Sequence, residues 1–230
     1  MSLDPYSPCP CGSGKKLKFC CQVVAADIEK VERLLEGRQK SRAVQALEAL
    51  GRKHPDNPWV VTTRSEVLMQ EALFDEAAEL LEPFVEAHPD HHYALALMAV
   101  ASFSADGFEL AKPIIHRAFQ RCRRDYPDML ADLALGVASS MLGTGKYLAA
   151  RAHLVLALRL APDEMKSQIF LRLIDFDGNV QIPYPLRSVH EIAEVAGADE
   201  KGSDAHKAVL LSTLGCWRPA ARIFTRPAEA

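Results

Sequence analysis

Four cysteines lie close together near the start of this 230-residue chain, in the segment CPCGSGKKLKFCC. The Gly-rich stretch between them is too short to bury an apolar core, so something other than burial must fold it. Zinc accepts four thiolates in a tetrahedron, and in such small units its binding free energy is the folding free energy. The pattern predicts one structural Zn²⁺ bound by Cys9, Cys11, Cys20 and Cys21.

The residues between the cysteines leave some alternatives open. Gly12 and Gly14 are expected to adopt positive φ in a tight reversal. Four thiolates outweigh one zinc ion by two negative charges, so the neighbouring lysines either neutralise this charge or contact an anion. A pair of disulfides is the alternative to metal, but a reducing compartment favours metal. Four ligands leave no open position on the metal, which argues against a catalytic zinc.

The segment DPYSPCPCGSGKKLKFCC resembles the SEC-C motif, the zinc-binding tail of the preprotein-translocase motor SecA that recurs in many bacterial proteins. The shared pattern is Cys-x-Cys, eight residues, and then Cys followed by Cys or His, together with the CPCGSGKK core. This resemblance implies that Cys9, Cys11, Cys20 and Cys21 ligate zinc. It also implies contacts with other proteins or with nucleic-acid-containing machinery.

A repeat follows the cysteine segment. Pro-Asp pairs recur at Pro55, Pro89, Pro127 and Pro162, with spacings of 34, 38 and 35 residues, which is the period of a helix pair. Between them recurs a series of one small residue, an aromatic, an alanine three places later and an aliphatic residue four places beyond. The series reads Ser65, Phe74, Ala77, Leu81; Ala99, Phe108, Ala111, Ile115; Ala138, Tyr147, Ala150, Leu154; and Ala208, Trp217, Ala220, Phe224. The first unit, Val31, Lys40, Ala43, Leu47, lacks the aromatic.

This series resembles the tetratricopeptide repeat from about Val24 onward. The predicted fold class is all-α: a TPR-like superhelix of antiparallel helix pairs, an α-solenoid, preceded by a small N-terminal zinc knob. Residues 1–23 form the SEC-C-like motif and 24–230 the repeat domain. The units are expected at about 24–57, 58–91, 92–130 and 131–164, followed by an irregular segment at 165–200 and a last unit at 201–230.

Two segments depart from the period. Extra residues before Pro127 are expected to lengthen the preceding helix through a basic run of His116, Arg117, Arg121, Arg123 and Arg124. The glycine and prolines of DFDGNVQIPYP predict a loop from Asp175 to Pro185.

Stacked helix pairs build a concave face from the first helix of each pair, and that face usually receives a partner's peptide or helix. The partner-binding candidates by register are Trp59, Glu66, Met69, Tyr93, Phe103, Asp132 and Ser139. For Trp59 and Tyr93, packing between repeats is the alternative. The possible anion contacts are Lys15, Lys16, Lys18, Arg117, Arg121 and Arg124, with an ordinary solvated helix face as the alternative for the arginines.

Other functions find little support in the sequence. The net charge of -3 gives no global field for nucleic acid or membrane, and neither a signal peptide nor an uninterrupted apolar span is seen, so a cytoplasmic protein is expected. GSGKK lacks residues that a phosphate-binding loop needs, and DFDGN lacks those of a calcium loop. His91, His92 and His190 lack ligand partners at helical spacing and are interpreted as surface or satisfied side chains.

The sequence therefore predicts a non-catalytic adaptor with no small-molecule substrate. Its superhelix would hold a protein or peptide partner while the zinc knob docks a second. The alternative is a nucleic-acid- or ribosome-associated factor that uses the basic knob and the helix at 116–124. A non-catalytic subunit of an enzyme is a third hypothesis.

Overall fold

The computed structural model describes residues 3–179, so the expected last unit at 201–230 lies outside the described residues. Two short 3-10 turns, Leu17–Phe19 and Gln22–Val24, precede the α-helices. The helices are α1 Ala25–Glu36, α2 Lys40–Lys53, α3 Pro58–Gln70, α4 Phe74–Ala87, α5 His92–Arg121, α6 Pro127–Gly143, α7 Tyr147–Leu160 and α8 Asp163–Asn179. Over this range the β-structure amounts to one isolated bridge between Pro8 and Lys16, and the all-α, TPR-like prediction is confirmed.

The helices pack as successive pairs. α1 packs on α2, and α3 packs on α4. α7, the second helix of its unit, also packs on the following helix α8. α5 contains a break at Gly107, where φ is 76° and ψ is -178°, so its two halves form the two helices of one pair. By their contacts, residues fall into two compact units, Met1–Leu130 and Ala131–Ala230. The cysteine segment belongs to the first of these units.

The repeat register is visible in the burial of the side chains. The small residues of the first helices, Ser65, Ala99 and Ala138, are at most 1% exposed. The alanine and aliphatic positions of the second helices are buried as well, at Ala43, Leu47, Ala77, Leu81, Ala111, Ile115, Ala150 and Leu154. Small side chains let the paired helices approach closely, and the aliphatic residues fill the space between neighbouring helices.

Prolines follow the second helices closely. α2 ends at Lys53, α4 at Ala87 and α7 at Leu160, each two residues before a Pro-Asp pair. Proline disfavours helical geometry in the residue before it and lacks the N-H that would continue the ladder. At the start of α3, the Asn57 side chain accepts hydrogen bonds from the N-H groups of Trp59 and Val60, and Pro58 occupies the first turn.

The turns inside the helix pairs share a left-handed residue. Arg38, Ala72, Gly107 and Gly145 have φ of 55°, 59°, 76° and 72°, and each lies one or two residues before a second helix. Only glycine adopts this region without steric cost. The backbone is therefore strained at Arg38 and Ala72. At the equivalent positions of the later turns, Gly107 and Gly145 avoid this strain.

Replacing Ala72 with glycine is expected to stabilise the first unit. The left-handed conformation costs a non-glycine residue about 1–2 kcal/mol, and the added freedom of glycine in the unfolded chain offsets about half of the gain. We expect Ala72→Gly to raise the free energy of unfolding by about 0.5–1 kcal/mol in urea titrations. Ala78→Gly, inside α4, is the control and should lower it by about 1 kcal/mol. A lower free energy of unfolding in Ala72→Gly would show that the backbone is not strained at Ala72.

Two expectations at irregular segments are wrong. α8 continues through Asn179, so Asp175 to Asn179 are helical and not a loop, while 180–185 lie outside the described residues. Apolar residues at helical spacing hold this helix, since Ile169, Leu173 and Phe176 are at most 9% exposed.

The long helix before Pro127 also ends earlier than expected. α5 stops at Arg121 because the buried Cys122 closes it, donating its N-H to Ala118 at 2.8 Å and its thiol to the His92 carbonyl at 3.3 Å. Arg123 and Arg124 lie in the turn that follows.

α5 is the one described helix that is long and apolar enough to cross a membrane by length and composition. Core helices pass the same test. The break at Gly107 divides its 30 residues into halves that are each shorter than the roughly 20 residues a span needs. We interpret α5 as a helix pair of the core.

Candidate metal centre

The sulfur atoms of Cys9, Cys11, Cys20 and Cys21 all lie within 4.8 Å of one another. The Cys11 and Cys20 sulfurs are 3.5 Å apart, and those of Cys20 and Cys21 are 3.8 Å apart. A tetrahedral zinc ion with bonds of about 2.3 Å separates its sulfur ligands by about 3.8 Å, whereas a disulfide needs about 2.05 Å. All four thiols are free. The four side chains therefore fit a metal ion such as zinc, and not a pair of disulfides.

The backbone between the ligand pairs is a tight reversal. Gly12 and Gly14 have φ of 77° and 72°, which confirms the positive values expected for them. The Cys9 N-H donates to the Lys15 carbonyl at 2.7 Å, closing the loop that holds both glycines. The Ser13 hydroxyl lies 3.3 Å from the Cys20 sulfur. This geometry brings the two ends of the motif together.

The thiols influence one another strongly. Hydrogen bonding from Cys21 lowers the pKa of the Cys11 thiol to about 3, against the opposing effect of burial. Burial raises the pKa of Cys9 to about 11, and the hydrogen bond to Cys11, together with burial, raises the pKa of Cys21. Without a cation, this arrangement favours a thiolate at Cys11 and neutral thiols at Cys9 and Cys21, because like charges at such distances oppose each other. Four thiolates together require a bound cation.

The cysteine segment packs into the repeats rather than standing apart. Cys9, Cys11 and Cys21 are at most 4% exposed, and Leu17 is completely buried. They share one apolar cluster with residues of the adjoining turn and of α1, α2 and α3, namely Val24, Ile28, Val31, Ala43, Leu47, Leu50, Trp59 and Val60. The segment that the sequence sets apart at 1–23 thus has its core in common with the first repeats.

The tight reversal at Gly12 also contacts Tyr93, at the start of α5, and Tyr126, directly before α6. The Tyr126 hydroxyl donates to the Gly12 carbonyl, and the rings of Tyr93 and Tyr126 lie 5.0 Å apart. A Cβ atom at Gly12 would stand 2.6 Å from the Tyr126 hydroxyl oxygen and 2.7 Å from the Tyr93 Cβ. Only glycine allows this close approach. Tyr93 in turn donates its hydroxyl to Glu66 of α3 at 2.5 Å.

Glu66 predicts a pH effect on stability. Burial raises the pKa of Glu66 above its usual 4.5, although the hydrogen bond from Tyr93 opposes this. The folded state therefore binds this proton more tightly than the unfolded state, so its contribution to stability is present at low pH and is lost as the pH rises through the raised pKa. We expect the free energy of unfolding of the wild type, relative to Glu66→Gln, to fall as the pH increases from 4 to 7. Glu82→Gln, at an exposed glutamate of α4, is the control, and urea titrations at each pH provide the measurement.

His91 lies at the same junction. It is 7% exposed and precedes α5, where its Nδ1 accepts a hydrogen bond from the Ala94 N-H at 3.2 Å. Its Nε2 is buried and has no hydrogen-bond partner within the described range. His91 is therefore buried and not a surface side chain, and only its Nδ1 is satisfied by the described residues. The interpretation as a surface or satisfied side chain fits His92 better, since it is half-buried and pairs with Asp125.

The basic residues predicted as anion contacts are dispersed. Lys18 Nζ lies 3.9 Å from the centre of the Tyr6 ring, and Lys16 Nζ lies 5.7 Å from it. Arg121 donates to the Pro89 carbonyl at 3.1 Å. Lys15 and Arg124 are exposed, while Arg117 is half-buried. Lys16, Lys18 and Arg121 thus have contacts inside the protein, and anion binding stays a prediction.

The residues predicted to bind a partner have different surroundings. Trp59 is 4% exposed and packs in the core cluster, so its ring offers little surface to a partner. Glu66 and Tyr93 bond to each other beside the cysteine segment. Met69 and Phe103 are half-buried in the first unit. In the second unit, Asp132 is exposed and Ser139 donates to the Leu135 carbonyl at 3.0 Å.

The sequence analysis missed Tyr126 and the part played by His91. Both residues lie directly before a first helix, in the loops YPDML and HPDHH that carry the Pro-Asp signal. Their position in the repeat places them at one edge of the stacked helices. Nothing in the sequence indicates that the cysteine segment lies against that same edge.

Comparison with known proteins supports the repeat fold. A family model described as Tetratricopeptide repeat matches residues 34–101, from α1 into the first half of α5. No curated protein and no solved structure matches the chain. Tetratricopeptide repeats suggest a scaffold for protein-protein interaction and are typically non-catalytic.

Proposed function

We propose that this protein is a non-catalytic, cytoplasmic adaptor in which one structural zinc ion holds a SEC-C-like knob against a TPR-like scaffold. The cluster of four sulfur atoms within 4.8 Å of one another carries this proposal. Four thiolates close the coordination shell of zinc, so the ion would have no open position for a substrate. The repeats would bind a protein partner, and the exposed side of the knob would bind a second.

Elemental analysis tests whether the protein binds one zinc ion. Protein purified under reducing conditions should contain about one zinc ion per chain, as expected for a closed four-thiolate site. Cys20→Ser/Cys21→Ser should contain none, whereas Cys122→Ala should keep it, because Cys122 lies outside the cluster. Wild-type protein without stoichiometric zinc would refute the proposed function.

A groove in the first unit is the surface that we propose for the protein partner. It is a cavity of about 460 Å³ between α2, α3 and α4. Its apolar lining consists of Val44, Leu47, Val67, Leu68 and Leu80. Glu48, Glu76, Glu79 and Arg64 surround that lining, so its charged groups are mostly acidic. This combination fits an amphipathic segment that carries leucine on one side and lysine or arginine beside it. Met69, Phe103, Asp132 and Ser139 stay predicted contacts outside this groove.

Charge reversal tests the groove. Anisotropy of a labelled, amphipathic Leu/Lys peptide should report binding to the wild type and binding at least about tenfold weaker to Glu76→Lys/Glu79→Lys, since reversed charges now repel the peptide. Glu82→Lys/Glu86→Lys changes the same net charge on the same helix outside the groove and should bind like the wild type. Equal loss in both variants, or equal binding of a Leu/Glu peptide, would contradict this site.

A further inference from the structure

The tautomer of the His91 ring follows from its contacts. Nδ1 accepts the Ala94 N-H at 3.2 Å, so that nitrogen carries no proton and the neutral ring carries its proton on Nε2. The side chain is 7% exposed, and its Nε2 is a buried donor without a partner among the described residues. Buried donors are nearly always satisfied in folded proteins, so an acceptor should lie close to this nitrogen.

A sulfur of the cysteine cluster can serve as that acceptor. His91 is one of the hydrogen-bonding neighbours of the Cys11 thiol. His91 also lines a cavity of about 390 Å³ together with Ser13 and Cys20 of the cysteine segment. The ring therefore lines a cavity that it shares with the metal ligand Cys20.

His91 is nevertheless not a ligand itself. In the described part of the chain, the group of donor atoms close enough to share one metal ion consists of the four cysteine sulfurs alone. Those four already complete a tetrahedron. The ring therefore lies outside the ligand set.

We propose that His91 is a positioning residue of the metal centre, donating its Nε2 proton to the zinc-bound sulfur of Cys11 while its Nδ1 caps helix α5. A centre of four thiolates and one zinc ion carries two excess negative charges, and a hydrogen bond to sulfur spreads this charge and orients the ligand. Metal affinity then depends on the start of α5, a helix of the repeats. The inference rests on the proposed zinc site.

Three variants of the full chain separate this role from a structural one. His91→Asn keeps a side-chain acceptor that can cap α5, but its shorter side chain loses the donor to Cys11. His91→Gln places an amide nitrogen near the position of Nε2 and restores the donor. His92→Asn changes the neighbouring, half-exposed histidine, which pairs with Asp125 instead.

Competition with a chromophoric chelator gives the zinc dissociation constant of each variant. We expect His91→Asn to bind zinc about 10- to 100-fold more weakly than the wild type, as is typical when an outer hydrogen bond to a ligand is lost. His91→Gln should recover most of that affinity, and His92→Asn should match the wild type. Cobalt-substituted His91→Asn should keep a four-thiolate absorption spectrum with a shifted charge-transfer band.

The outcomes distinguish the two proposals. A wild type that binds no zinc refutes the proposed function. Tight zinc binding in the wild type and equally tight binding in His91→Asn overturns the role of His91 alone, as does an equal loss in His92→Asn. A cobalt spectrum showing nitrogen ligation in the wild type would make His91 a ligand and also overturn the proposal.

A measurement on the wild type needs no variant to fold. Nitrogen-15 NMR of the zinc-bound protein should show His91 as a neutral ring protonated at Nε2, with a slowly exchanging proton. A ring protonated at Nδ1, or a rapidly exchanging Nε2 proton, would overturn the proposal.

Discussion

Chelating the metal is expected to destabilise the whole first compact unit, and not the N-terminal segment alone. The buried cysteines share their apolar cluster with Val24, Leu47 and Trp59, so losing the metal opens the core of α1, α2 and α3. Zinc contributes about 10–16 kcal/mol in isolated zinc-finger peptides, but here apolar packing retains part of the fold. We expect a loss of about 4 kcal/mol, or a fall in melting temperature of roughly 10 °C, by circular dichroism in reducing buffer.

Cysteine variants provide the controls for this experiment. Cys20→Ser/Cys21→Ser should melt at the lower temperature with or without chelator, because it has no complete ligand set. Cys122→Ala removes a buried thiol outside the cluster, so its melting temperature should still fall on chelation. Unchanged melting of the wild type after verified zinc removal would show that the segment adds nothing to the stability of the repeats.

The repeat fold could be predicted from sequence because its physics is local. A small residue such as Ser65 or Ala99 on the first helix must face an alanine on the second, and this requirement returns with every helix pair. The prolines that end the second helices add an independent signal at the same period. Each unit thus specifies its own hairpin, and stacking follows from the apolar side that every hairpin exposes.

The metal ligands could also be predicted, because a short segment with four cysteines has few other ways to fold. The packing of that segment against the repeats could not be predicted. The hydrogen bond between Tyr126 and Gly12 joins residues 114 positions apart, and no periodic pattern carries such a contact. The proposed role of His91 could not be predicted for the same reason, since it depends on a sulfur atom that only the fold brings close to the ring.

The end of α8 could not be predicted for a different reason. A glycine and nearby prolines indicated a break after Asp175, yet the helix continues through Asn179. Glycine costs a helix only about 1 kcal/mol, which the burial of Leu173 and Phe176 can outweigh. Breaker residues predict a helix end well only where no apolar side holds the helix in place.

The cysteine segment covers apolar residues of several repeats at once. Here Leu17 and the buried cysteines cover residues of α1, α2 and α3, and the reversal at Gly12 reaches Tyr93 at the start of α5. A unit of about two dozen residues has too little apolar surface to do this unaided, and a bound metal would provide the missing rigidity.

The two glycines of the reversal offer a matched test of this docking. Gly12 and Gly14 have nearly equal φ, but a Cβ at Gly14 would have no atom within 4 Å, whereas one at Gly12 would stand 2.7 Å from the Tyr93 Cβ. Gly14→Ala should therefore cost only the backbone strain, about 1 kcal/mol. Gly12→Ala should cost about 2–4 kcal/mol, because it must also push the reversal away from the repeats.

Urea unfolding of the zinc-bound variants measures this difference. Tyr126→Phe removes the hydroxyl oxygen that stands 2.6 Å from the new Cβ, but it leaves the Tyr93 Cβ in place. Adding Tyr126→Phe to Gly12→Ala should therefore fail to restore stability, since the contact with Tyr93 involves an atom that no rotamer can move. Equal losses in Gly12→Ala and Gly14→Ala would mean that the reversal does not pack against α5, and the coupling between metal and repeats would then be confined to α1, α2 and α3.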